Sequence, residues 1–147
     1  MPRIMGSMNR ISRCQATYRT EKIASDLGGC HHSFVLAICR MPGKSQEELA
    51  RDLCLNKSTV ARSLTQLEDR GYVTRTPNPA DKRQMLVYPT EKMLDILPKV
   101  RSVTKEWNDL LSEGISEEEL AVFESVLHRM EQSAKEIIQT LEENRKK

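Results

Sequence analysis

The chain is poor in aromatic side chains, with one Trp, three Tyr and two Phe among 147 residues. Sequence-specific RNA binders stack splayed bases on exposed rings, so this poverty disfavours that class. No apolar run approaches the roughly 18–20 residues needed to span a bilayer. No secretory apolar core follows the first residues. The four cysteines, Cys14, Cys30, Cys39 and Cys54, form no Cys-x-x-Cys pair. Without a secretory signal, that pattern argues against a disulfide framework and predicts a reducing, cytoplasmic setting. A Gly-rich phosphate loop, a Ser-His-Asp ordering and paired carboxylates in a catalytic context are all missing. These absences predict a protein that is not an enzyme, needs no cofactor and does not enter membranes. Internal repeats and low-complexity segments are missing as well.

What is present is charge, unevenly spread. Residues 1–40 carry six bases and two acids, residues 41–83 eight bases and six acids, and residues 84–147 nine bases and thirteen acids. A basic front and an acidic tail suit a front half that faces a polyanion. An ordinary mixed surface is the competing reading of the same numbers.

The periodicity is mostly helical. Residues 8–26 read as a helix with Ile11, Cys14, Tyr18 and Ile23 near one face, ended by Gly28-Gly29. Before it, Gly6-Ser7-Met8 resembles a cloning remnant and carries no structural signal. A second, mostly apolar helix runs over 31–40 through Phe34, Val35, Ile38 and Cys39, and Met41-Pro42-Gly43 then forces a turn. Ser45 followed by Glu48 forms a capping box for a short helix reaching about Leu53. Asn56 is a good N-cap for the next helix. There Val60, Leu64 and Leu67 give one buried stripe, and Gly71 suits the left-handed closing position.

The period then changes. Residues 72–76 and 84–88 read as strands flanking a charged loop at 77–83, Pro-Asn-Pro-Ala-Asp-Lys-Arg. A seven-residue hairpin loop exceeds the usual ~2–5, and long loops in compact domains are often functional. Two long helices complete the chain. The first starts at the cap Thr90 and reaches about Ser112, with Pro98 expected to kink it unless the helix begins later. The second starts at a capping box of Ser116 and Glu119 and reaches about Glu142. Its stripe is Leu120, Phe123, Leu127, Met130, Ala134, Ile137 and Leu141.

Two short helices joined by a tight turn, the second with a polar outer face, match a helix-turn-helix. With Val60, Leu64 and Leu67 inside, the opposite face holds Ser58, Arg62, Thr65 and Asp69, and Lys57 and Thr59 lie at the tip. Hydrogen-bonding and cationic groups in the first two turns are what a major-groove helix needs. The hairpin that follows makes a winged helix. Lys82 at its tip suits phosphate, and Arg83 suits a narrow minor groove. Asp81 makes sense if it accepts hydrogen bonds from an arginine and fixes its direction, with Arg75 and Arg83 as the two candidates. The expected DNA-binding residues are thus Ser45, Lys57, Ser58, Thr59, Arg62, Arg75, Asp81, Lys82 and Arg83. The expected fold is mainly α with a small β-hairpin wing, a winged helix-turn-helix plus a helical dimerisation domain.

Four motifs sharpen this. They are Pro42-Gly43-x-Ser45-Gln46-x-Glu48-Leu49-Ala50, Ser58-Thr59-Val60-x-Arg62, Leu67-Glu68-x-Arg70-Gly71-Tyr72-Val73-x-Arg75, and Asp81-x-Arg83. Over residues 41–92 the chain closely resembles the multiple antibiotic resistance regulator (MarR) family of transcriptional regulators, and the flanking helices fit in length and order. The resemblance implies a homodimer in which helices from residues 8–40 and 90–143 interlock, leaving 41–89 as the DNA-binding part. It also implies double-stranded DNA with a pseudo-palindromic operator as partner, and repression relieved by a small-molecule effector. Two stretches depart from the family pattern. Residues 28–34, Gly-Gly-Cys-His-His-Ser-Phe, replace a Leu-Thr pair and a glutamine near the usual effector pocket, which leaves the ligand open. Met93 replaces a glycine after the wing.

Other readings of the same fold remain. Cys14 lies one helical turn before Tyr18, an arrangement that resembles peroxide-sensing members of the family and implies a thiol-oxidation switch, although free cysteines are usually small buried apolar residues. Cys30, His31 and His32 could suggest a metal-responsive regulator. Adjacent ligands at a helix start cannot easily face one ion, however, and only His128 remains as a further histidine, so no metal site is expected. His31 and His32 read instead as partly exposed first-turn residues. A winged helix used only for protein contacts is the last alternative.

Overall fold

The computed structural model describes residues 3–23, 25–28 and 31–146. Cys30 and Gly29, the second half of the expected helix stop, lie outside them. In chain order the elements are α1 (Ile4–Lys22), α2 (His32–Arg40), β1 (Lys44–Ser45), α3 (Gln46–Asp52), α4 (Lys57–Asp69), β2 (Val73–Pro77), β3 (Met85–Pro89), α5 (Glu91–Leu111) and α6 (Glu117–Arg145). The chain packs as two units, Met1–Asn108 and Asp109–Lys147. The fold class is as expected: mostly helix, with one small antiparallel sheet.

The core belongs to the first unit. Phe34, Val35 and Ile38 of α2 and Leu49 of α3 join Val60, Leu64 and Leu67 of α4. Tyr72, Val73 and Val87 come from the sheet region, and Met93, Val100 and Val103 from α5. Fully burying one such aliphatic side chain stabilises by about 1.5–3 kcal/mol, so the stripe on α4 anchors that helix firmly. The polar face of α4 is left outward by the same rotation.

The local signals for helix starts all appear as bonds. Ser45 Oγ accepts from the Glu48 amide while Glu48 Oε2 accepts from the Ser45 amide. Ser116 and Glu119 make the same reciprocal pair. Asn56 Oδ1 accepts from the Thr59 amide at 2.7 Å. Gly71 closes α4 at φ +80°, a conformation that would strain a residue with a Cβ.

The sheet has the order β1-β3-β2. Arg75 faces Val87 and Pro77 faces Met85 across the wing, and Ser45 pairs with Leu86 on the other side of β3. The third strand, β1, was not expected. Two residues are too few to show an alternating pattern, and only the pairing with β3 defines them as strand.

Two expectations are corrected. First, α1 runs over Ile4–Lys22 rather than 8–26. It therefore includes Gly6-Ser7-Met8, and it stops before the linker. The linker is claimed by tertiary bonds: Arg70 donates to the Asp26 carbonyl at 2.8 Å and His31 Nδ1 to the Leu27 carbonyl at 2.7 Å. The bond from Arg70, 44 residues further along the chain, holds Asp26 in the linker and out of the helix. Of the expected α1 stripe, Ile11 and Cys14 are exposed in this chain, Tyr18 is half-buried and Ile23 is buried. Second, His31 and His32 are buried rather than partly exposed. The His31 ring also meets Phe34 edge-on, with centroids 6.1 Å apart, so the start of α2 is inserted into the core. As expected from the cap at Thr90, α5 begins at Glu91, and it continues through Pro98. Leu94, whose carbonyl Pro98 cannot bond, lies on the exposed face with it, where water can take the free acceptor.

Candidate nucleic-acid interface

The tight turn between α3 and α4 is made at Cys54, which holds φ +52° and is the one described non-glycine residue in that region. The Leu55 amide bonds back to the Ala50 carbonyl at 3.0 Å, reversing the chain within three residues. Asn56 then caps α4. Its Oδ1 also accepts from Ser58 Oγ at 2.9 Å, which fixes that hydroxyl and leaves its lone pairs outward. Lys57, Ser58 and Arg62 are exposed and Thr59 is half-buried. Asp69 closes the helix about 18 Å from Lys57, given a rise of about 1.5 Å per residue.

The wing loop spans residues 78–84 and is tied by its own groups. The Asn78 amide bonds to the Gln84 carbonyl at 2.8 Å and the Gln84 amide to the Asp81 carbonyl at 2.9 Å. The Asn78 side chain donates to Gln84 Oε1 and accepts from the Ala80 amide. At the tip, Asp81 Oδ1 accepts from both the amide and the Nε of Arg83, each at 3.1 Å, and Oδ2 accepts from Arg83 Nη2 at 3.3 Å. The guanidinium still exposes 90% of its side chain. Arg83 holds the Asp81 carboxyl below its usual value through these bonds. Lys82 is exposed beside the pair.

Two expected site residues are turned to other tasks. Ser45 is 3% exposed and spends its hydroxyl on the α3 cap. It is therefore not a side chain that solvent or a ligand reaches. Arg75 does not partner Asp81. Its guanidinium bonds Glu68 Oε1 at 2.9 Å and Oε2 at 3.3 Å, Thr65 Oγ1 at 3.3 Å and Gln46 Oε1 at 3.2 Å. Arg75 in turn lowers the pKa of Glu68, chiefly through the side-chain bond.

Sequence reasoning missed Glu68, Thr65 and Gln46 as partners of Arg75, and Asn78 as the residue that shapes the loop. An Asn opening a turn is a local signal that could have been read. The Arg75 contacts join three elements and have none.

A second polar cluster lies at the linker. Tyr72 Oη donates to Asp26 Oδ1 at 2.5 Å, and Lys92 Nζ donates to Asp26 Oδ2 at 2.9 Å and to the Arg70 carbonyl at 2.7 Å. Burial first, and the bond to Asp26 second, push the Tyr72 hydroxyl up to about 12. No group of three or more His, Cys, Asp or Glu side chains that could hold a metal ion occurs among the described residues. No helix among them is long and apolar enough to cross a membrane.

Comparison with known proteins gives the same picture. The model of the MarR family matches residues 32–85. The HTH-type transcriptional regulator BilQ of Clostridium symbiosum is 31% identical over 97 residues, which cover 66% of this chain and 67% of BilQ. The crystal structure of a MarR transcriptional regulator from Methanosarcina mazei superposes with a TM-score of 0.81 at 28% identity, covering 90% of this chain and 96% of that one. A MarR family regulator from Listeria monocytogenes, crystallised with a 26mer DNA, has the same fold. Its TM-score is 0.86 at 23% identity, with 92% of this chain and 91% of that one covered. The winged helix built by α3, α4 and the β2–β3 hairpin, and these matches across it, establish that the chain belongs to the MarR family of DNA-binding transcriptional regulators.

Proposed function

We propose that the protein is a homodimeric repressor that holds a pseudo-palindromic operator and is released from it by a small-molecule effector. In this reading residues 8–40 and 90–143 form the dimerisation part and 41–89 the DNA-binding part. Lys57, Ser58, Thr59 and Arg62 enter the major groove, and Lys82 and Arg83 work beside it. The observation that carries the reading is the wing tip. An exposed arginine is aimed by a carboxylate on a loop braced by its own hydrogen bonds, and the hairpin that carries it packs on a helix with a cationic, hydroxyl-bearing tip. Charged loops made only for solubility need no such bracing.

The test is a binding titration against duplex from the region upstream of the protein's own coding sequence, across salt concentrations. The expected result is one dimer per inverted repeat, with affinity falling at least tenfold over a fewfold rise in salt, as phosphate contacts require. Salt-independent binding, or none to any duplex, would instead favour a winged helix used for protein contacts.

A thiol-responsive version has one observation in its favour. Cys14 and Cys54 are exposed, whereas burial raises the pKa of Cys39 and makes it the poorer nucleophile. Replacing each cysteine by serine should let peroxide-treated protein stay on DNA if this version holds, and should make no difference to binding with or without peroxide if release depends on the effector alone.

A further inference from the structure

We infer that Arg75 and Glu68 form a positioning pair that sets the wing relative to α4, and so fixes the spacing between the two DNA contacts. The inference rests on the proposed function, in which α4 and the wing tip hold the same duplex.

Arg75 lies in the middle of β2, and its one side chain joins that strand to two helices. The fork formed by Nε and Nη2 meets both oxygens of Glu68, Nη2 also meets Thr65 one turn earlier on α4, and Nη1 meets Gln46, the first residue of α3. The side chain is only 18% exposed. Beneath it, Val60, Leu64, Leu67, Val73 and Val87 hold helix and sheet together. Apolar contact is non-directional and permits small rotations, whereas a guanidinium–carboxylate fork is planar and does not. Two residues beyond Arg75 the strand ends at Pro77, about 7 Å further out at about 3.3 Å per residue, and the loop carrying Arg83 begins. A tilt at Arg75 is therefore enlarged at the tip. Arg75 thus acts through Arg83 rather than by touching DNA.

Electrostatics provides the discriminating sign. Glu68 is an anion on the helix that meets phosphate. If it were only a charge, or a brake on an arginine destined for phosphate, Glu68→Gln would tighten binding. As half of a positioning pair its loss weakens binding.

The experiment uses the duplex that the wild-type protein selects from a random-sequence library, with affinity read by fluorescence anisotropy and folding checked by thermal melting. Glu68→Gln is expected to weaken binding about three- to tenfold, in the lower part of the range of couplings between contacting residues. In an Arg83→Ala background the same change should cost less than about twofold, because no tip contact remains to misplace. Arg75→Lys keeps the charge and loses the fork, and should fall with Glu68→Gln. It also serves if the glutamine variant does not fold. Unchanged or tighter binding by Glu68→Gln, wild-type affinity in Arg75→Lys, or an equal loss in both backgrounds would overturn the positioning role alone. Failure of the wild type to select any duplex would overturn the DNA reading beneath it.

Discussion

Asp81 puts a carboxylate where phosphate would repel it, and only its geometry explains why the wing carries one. Three bonds from Arg83 converge on its two oxygens, so a side chain that is otherwise solvated points one way. Simple charge counting predicts that Asp81→Asn tightens DNA binding. Aiming predicts that it weakens binding, and a mobility-shift titration separates the two. Arg83→Ala should cost about 1–3 kcal/mol of operator affinity. Because Arg83 depresses the folded pKa of Asp81, the pairing is intact above the ordinary carboxylate value. It is lost only as pH falls through that depressed value, so the wing contribution should be flat from about pH 5 to 8. On α4, Arg62→Ala should weaken binding and relax base preference, and a selection from random duplexes that returned an unaltered motif would refute its groove role. At this scale the sequence narrowed the partner of Asp81 to Arg75 or Arg83 and went no further. Arg83 is two residues away and closes the fork inside the loop. The rival claim on Arg75 comes from Glu68, which a helix–strand packing brings near and linear spacing does not.

Whole elements were legible where their cause is local. The stripe Val60, Leu64 and Leu67, the caps at Ser45, Asn56 and Ser116, and the closing Gly71 are each a short-range rule, and each appears as burial, a bond or a positive φ. Elements whose bounds depend on distant groups were not legible. The end of α1 is decided by Arg70, Tyr72 and Lys92 gathering around Asp26, and β1 exists only through β3. The Asp26 cluster makes a testable claim about stability. The Tyr72 hydroxyl titrates near 12 when folded and near 10 when unfolded. A raised phenol pKa stabilises the fold fully below about pH 10, and that contribution disappears as pH rises through about 12. Urea midpoints should therefore fall between pH 10 and 12 more steeply than in Tyr72→Phe. The phenylalanine variant should be weaker at neutral pH by about 1.5–3 kcal/mol, the worth of one hydrogen bond to a charged group. Equal alkaline slopes in the two proteins would show that Tyr72 is not the titrating group.

For the molecule as a whole the telling surface is α6. The stripe read from its sequence is a good amphipathic pattern, yet Phe123 and Ile137 are 58% and 60% exposed in this chain, and Val122, Val126, Ile138 and Leu141 are exposed with them. A pattern of this kind shows that a face seeks burial, but it does not say against what, so only the family resemblance, and not the periodicity, pointed to a second copy of the chain. Apolar patches this continuous are rare on proteins that work as monomers. A second copy of the chain is the occupant that the proposed inverted-repeat operator requires. Ile137→Glu tests this cleanly, because a side chain so exposed supports little within its own chain. It should shift the protein from dimer to monomer in sedimentation while leaving the α-helical circular dichroism of the folded chain largely intact. Affinity for an inverted repeat should then fall by about a hundredfold or more, because two linked half-site contacts gain about 10²–10⁴ over one. Affinity for a single half-site should change little. A variant that stays dimeric, or a monomer that holds the full repeat as tightly as the wild type, would remove α6 from the dimer and with it the two-fold reading of the operator.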